Sequence, residues 1–72
     1  MSNKDVHTVK DGGRWDNKQG GKIISTHNTQ ANAIDKAISI AKKSESEHVI
    51  HGMDGKIRDK NSYGNDPKNI KG

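Results

Sequence analysis

Three cations stand at alternate positions near the C-terminal end of the chain, Lys56, Arg58 and Lys60, and an expected turn brings His51 beside them. Alternate residues of a strand point to one side and repeat about every 7 Å. Such a row can follow the phosphates of a nucleic-acid backbone, with an affinity that falls as salt rises. The same pattern also serves as a solvated face whose charges keep other strands away. His51, Lys56, Arg58 and Lys60 are therefore the expected binding surface. Base stacking is not the expected mode, because single-strand readers present several aromatics and this chain has only Trp15 and Tyr63. Trp15 suits a core better than a stacking platform, and Tyr63 can lay its ring on a hairpin with the hydroxyl outward.

His48 and His51 form the one closely spaced histidine pair. On a helix they would share a face and could hold a metal; on a strand their separation of three sends them to opposite faces. The strand signal around them is the stronger, so they read as surface or edge histidines, and no metal or cofactor is expected. His7 and His27 lie in other strands and could converge with either. Ser, His and Asp all occur, but no Gly-x-Ser-x-Gly elbow presents a nucleophile. The glycine pairs Gly12-Gly13 and Gly20-Gly21 lack the lysine and hydroxyl of a phosphate loop, and neither fits a dinucleotide fingerprint. Asp54-Gly55-Lys56 lacks the alternating acidic ligands and terminal glutamate of a calcium loop. No catalytic residue emerges, and the chain is expected not to be an enzyme.

The elements that must position these residues follow from periodicity. Val6 to Lys10 is rich in β-branched residues and runs through Asp11-Gly12-Gly13 into a second extended stretch from Arg14-Trp15, as a hairpin would. After Gly20-Gly21, Lys22 to His27 alternates Ile24 and Thr26 against Ile23, Ser25 and His27, which suits a third strand. From Thr29 the period changes. Ala33, Ile34, Ala37, Ile38 and Ala41 recur at helical spacing, Asn28 or Thr29 can cap the start, and Lys42-Lys43 favour the C-terminal dipole. His48 to Met53 then leads through Asp54-Gly55 into Lys56 to Lys60. A two-residue turn there would pair His51 with Arg58, Ile50 with Asp59 and Val49 with Lys60. Ile50 and Ile57 would share the inner face with Val9, Trp15, Ile24, Ile34, Ala37, Ile38 and Ala41, leaving Val49, Met53 and Ile70 outside.

Composition limits how much core there can be. Only 26% of the 72 residues are apolar, and there is no Phe, Leu or Cys. Without Cys there is no disulfide, thiol nucleophile or thiolate metal site. No apolar run exceeds two residues, so neither a membrane span nor a secretory signal is expected, and the cytoplasm is the expected compartment. Thirteen Lys and Arg against nine Asp and Glu give a net charge of +4, split evenly between the two halves. Attraction to nucleic acid or to an acidic protein surface is therefore open.

Gly13 to Trp15, His27 to Ile34, Val49 to Ile57 and Asn61 to Pro67 together resemble the bacterial family known as domain of unknown function 2188. The likeness runs from Val6 to Pro67, and its most specific parts are His51-Gly52-x-Asp54-Gly55 and Ser62-Tyr63-Gly64-x-Asp66-Pro67. The family tends to follow its tryptophan with a small and then a β-branched apolar residue. Here Asp16 and Asn17 stand there, which should weaken the second strand. An acidic residue that often completes a capping box is replaced by Asn32. The resemblance implies a small stand-alone prokaryotic domain and supplies no activity.

The expected architecture is α+β: an antiparallel sheet, made of a meander and a later hairpin, packed on a single helix. Residues 1–5 are expected to be disordered, 6–63 to form the domain, and 64–72 to be an extended or disordered tail. Two functions from different classes fit: a non-catalytic nucleic-acid-binding accessory module, with duplex rather than single strands as partner, or a protein-interaction domain that self-associates as a homodimer or docks on a larger protein.

Overall fold

A computed structural model describes residues 4–63; the tail expected at 64–72 lies outside them. The elements are β1 (Val6–Asp11), β2 (Arg14–Gln19), β3 (Lys22–His27), α1 (Gln30–Ser44), β4 (Glu47–His51) and β5 (Ile57–Ser62). Three strands, a helix and a hairpin follow one another in the expected order, and the domain is α+β. The sheet, however, is mixed. Its strand order is β3-β2-β1-β4-β5, with β1 and β4 parallel and the other neighbours antiparallel. The helix accounts for this: its 15 residues rise about 22 Å, roughly the length of one strand. It carries the chain from the end of β3 back across the sheet, so that β4 enters beside β1 in the same direction.

The turn between β2 and β3 needs positive φ at both central positions, which Gly20 (63°) and Gly21 (81°) adopt without a Cβ penalty. Thr29 caps the helix, its hydroxyl accepting from the Asn32 amide at 3.2 Å. At the other end the Ser46 amide donates to the Ala41 carbonyl and the Glu45 amide to that of Lys42, the paired bonds of a Schellman motif. Glu45 occupies its left-handed position at φ 54°, where glycine is favoured. Glu45→Gly is therefore expected to stabilise the domain by about 1 kcal/mol and raise the thermal midpoint by about 4–8 °C, measurable by far-UV circular dichroism.

The helix presses Ala33, Ala37 and Ala41 onto the sheet, all fully buried. Alanines bring the helix backbone close, and the space left is filled largely by polar side chains: beside Val6, Trp15 and Ile50, the buried set includes Thr8, Asn17 and His48. Tyr63 and Ile40 pack at the margin of the Val6, Ala37 and Ala41 cluster. The expected core needs four corrections. Val9 alternates with the buried Val6 and Thr8, so it lies on the face away from the helix and Val6 joins the alanines in its place. Ile24 is 40% exposed and Ile57 63% exposed, because a bulge shifts the register of each edge strand. Val49, expected outside, is only 2% exposed. Asp16 and Asn17 do not weaken β2: both are buried within it, held by side-chain hydrogen bonds.

Candidate functional site

The hairpin joining β4 and β5 sets the positions of the expected binding residues. Its loop has three residues, Met53 to Gly55, rather than two. Gly52 donates to the Lys56 carbonyl at 2.8 Å, and Gly55, at φ 85°, donates to the Gly52 carbonyl at 3.0 Å. Asp54 fastens the loop by accepting from the Lys56 amide. A left-handed glycine closing a three-residue loop is a standard alternative to the Asp-Gly turn. His51 consequently pairs with Ile57 instead of Arg58, and the bulge restores the expected pairs of Ile50 with Asp59 and Val49 with Lys60.

This geometry separates the cations. Lys56 lies in the exposed turn, outside the strand. Arg58 reaches the start of the helix, its Nη1 donating to Gln30 Oε1 at 2.9 Å. Lys60 lies opposite Val49 and forms an ion pair with Glu47 at 3.2 Å. Lys60 and Arg58 therefore do not present one continuous row.

His51 instead meets His7, an encounter that strand pairing explains. β1 runs beside β4 with His7 opposite Val49, so alternation brings His7, Val49 and His51 to the face away from the helix. His7 Nδ1 and His51 Nε2 lie 3.1 Å apart, with ring centroids at 5.3 Å and the planes inclined by 34°. His51 Nδ1 lies 3.1 Å from the Gly55 carbonyl, which can only accept. His51 thus carries its proton on Nδ1, and its Nε2 accepts from His7 Nδ1. Both rings are partly buried. Burial, then the neighbouring His51, lowers the His7 pKa, while Asp5 acts in the other direction.

His48 points to the opposite face, as alternation requires, and is fully buried beneath the helix. Its Nε2 is 2.7 Å from Thr8 Oγ1, and Thr8 donates its single proton to Asn17 Oδ1 at 2.6 Å. His48 must therefore donate through Nε2, leaving Nδ1 as an acceptor. That atom has no hydrogen-bond partner. Asn17 completes the seam by donating to Ser25 Oγ at 3.0 Å and to the Ala33 carbonyl at 2.9 Å. Burial lowers the His48 pKa, with Asp59 opposing the shift.

A third polar pair joins Asp11 and Asp16 across the first hairpin. Their carboxyl groups share a hydrogen bond that raises the Asp11 pKa, and Thr26 donates to Asp16 at 2.9 Å. Asp11 is exposed, next to the Gly12-Gly13 turn that closes the hairpin. Among the described residues, no group of three or more His, Cys, Asp or Glu gathers as a metal cluster. Neither the His7–His51 contact nor the buried seam has a local sequence signal; both depend on which strands become neighbours.

No helix among the described residues is long and apolar enough to cross a membrane. No curated protein and no solved structure matches the chain. The family model described as "Uncharacterized protein conserved in bacteria (DUF2188)" matches residues 6–63, the span from the first strand to Tyr63. With that match covering its whole described sheet and helix, the chain belongs to the DUF2188 family.

Proposed function

We propose that this domain is a non-catalytic interaction module that joins a second copy of itself through the free edge of β3. The observation that supports this is the contrast between the two sheet edges. In β5 the charged residues Arg58, Asp59 and Lys60 occupy the middle of the strand. A two-fold antiparallel pairing centred on Asp59 would oppose two aspartates and set Arg58 against Lys60 of the other copy. In β3 the central residues Ile23, Ile24, Ser25 and Thr26 are uncharged, and both isoleucines are exposed. Pairing centred on Ile24 opposes the two Ile24 side chains, sets Ile23 against Ser25 and Lys22 against Thr26, and brings no like charges together. An uncharged, β-branched edge invites such addition. The bulge at Ile24 confines the contact to a short stretch, so a weak, concentration-dependent dimer is the expected state.

Sedimentation equilibrium over rising protein concentration tests this. The wild type should pass from monomer to dimer, and Ile24→Lys, which sets two cations opposite each other, should remain monomeric with an unchanged circular dichroism spectrum. A wild type that stays monomeric at the highest soluble concentration overturns the reading.

The net charge of +4 and the exposed Lys56 support a second reading, binding to duplex nucleic acid. The division of Arg58 and Lys60 leaves it without a single track for phosphates. Fluorescence anisotropy with duplex DNA at two salt concentrations checks it: salt-sensitive binding lost in Lys56→Ala supports this reading, and none at tens of micromolar removes it.

A further inference from the structure

We propose that His7 and His51 form a binding site for a divalent transition-metal ion of the copper, nickel or zinc class. Two imidazole nitrogens bound to one such ion at about 2.0–2.1 Å stand about 3.4 Å apart at a tetrahedral angle and about 2.9 Å apart at a right angle. His7 Nδ1 and His51 Nε2 are separated by 3.1 Å, between those limits. The pair therefore already has the spacing of two neighbouring ligands on one ion.

The second observation is the bond behind the ligand. Metal-bound histidines typically donate their other ring N–H to a carbonyl or carboxylate, which fixes the tautomer and aims the lone pair. His51 Nδ1 makes this bond to the Gly55 carbonyl, and Gly55 holds its position by the left-handed turn conformation. The His51 Nε2 lone pair is thereby fixed on the side of His7, and a modest rotation of the rings off their hydrogen-bond line lets both facing nitrogens converge on one ion. In the metal-free protein His7 Nδ1 donates to that lone pair. When an ion enters, the His7 proton moves to Nε2 through solvent, and both facing nitrogens become ligands with no net change in charge on the rings.

Placement favours preorganisation. His7 belongs to β1, the middle strand of the sheet, and His51 ends β4, its direct neighbour. The surrounding charges are mixed. Asp5 favours positive charge at His7 and Lys60 opposes it. Glu47 is paired with Lys60, and Lys18 is the cross-strand neighbour of His7. With two protein nitrogens and no third clustered ligand among the described residues, water completes the coordination. Such a site should prefer copper(II) over nickel over zinc, the intrinsic order for imidazole ligands.

Titration of the full chain with copper(II), nickel(II) and zinc(II) chlorides tests the proposal, followed by calorimetry and by the histidine ring signals in NMR. One ion should bind per chain at pH 7.5, with copper broadening the His7 and His51 signals first. Affinity should fall at least tenfold in His7→Gln and in His51→Gln, stay unchanged in His27→Gln, and weaken at pH 5.5 as protons compete. Copper should also raise the thermal midpoint of the wild type and not that of either ligand variant, a readout for which circular dichroism first verifies folding. Equal loss in His27→Gln, broadening centred on another residue, or no saturable binding would overturn it.

Discussion

Asn17→Ala is expected to destabilise the domain by about 3–4 kcal/mol. A chain this short holds only about 4–11 kcal/mol in total, so much of the stability would go. Asn17 is fully buried and serves three partners at once: it accepts from Thr8 at 2.6 Å and donates to Ser25 at 3.0 Å and to the Ala33 carbonyl at 2.9 Å. Removing the amide leaves the Thr8 hydroxyl without its acceptor in a dry space and opens a cavity that the close-packed alanines of α1 cannot fill. Ser25→Ala removes one partly exposed bond of the same seam and should cost about 1 kcal/mol. Asn17→Asp should be at least as harmful as alanine, since a buried carboxylate would face the Ala33 carbonyl with nothing to donate. Urea denaturation followed by circular dichroism measures all three. An Asn17→Ala variant within 1 kcal/mol of wild type would show that the seam fills space without holding the helix to the sheet.

Local signals account for the elements, and long-range neighbours account for what those signals miss. The glycine pairs, the alanine and isoleucine spacing and the Thr29 cap each act within a few residues, and the three strands, helix and hairpin appear where they predict. The opposite facing of His48 and His51 also follows from alternation alone. Ile24 and Ile57 escaped that logic because each strand containing them carries a bulge, and one extra residue reverses which side chains face inward. The Asp54-Gly55 pair marks the correct turn, but Asp54 binding to the Lys56 amide and Gly55 in the left-handed region select a three-residue loop. The His7–His51 contact depends on β1 and β4 lying side by side in parallel, 44 residues apart in sequence, a pairing no local pattern encodes. Asp16 and Asn17 read as weakening β2 because polarity alone does not show the partners that satisfy them. With Thr8, Thr26 and Ser25 in place, they are part of its interior.

The same seam should make the domain acid-sensitive well above the range where carboxylates titrate. His48 is fully buried and donates through Nε2 to Thr8, so its neutral form fits, and burial lowers its pKa below 6.5. The unfolded chain takes up a proton near that ordinary value while the folded chain resists, so the unfolded state binds more protons as pH falls. Stability is therefore full above pH 6.5 and declines below it, at a slope of at most about 1.4 kcal/mol per pH unit from His48. His7, whose pKa is also lowered, adds a contribution of the same sign. Asp11, whose pKa is raised, works in the opposite direction. Urea midpoints at half-unit intervals from pH 7.5 to 5.0 should fall steadily in the wild type. His48→Gln keeps an N–H donor for Thr8 and removes the titration, so it should start less stable at pH 7.5 and show a flatter pH profile. His7→Gln should retain the part of the slope that His48 supplies. If the wild-type midpoints stay level down to pH 5, His48 takes up a proton in the folded state as readily as in the unfolded one. The unpartnered Nδ1 would then have to gain an acceptor on protonation, and Asp59, whose charge already favours the protonated ring, is the side chain whose removal should restore the slope.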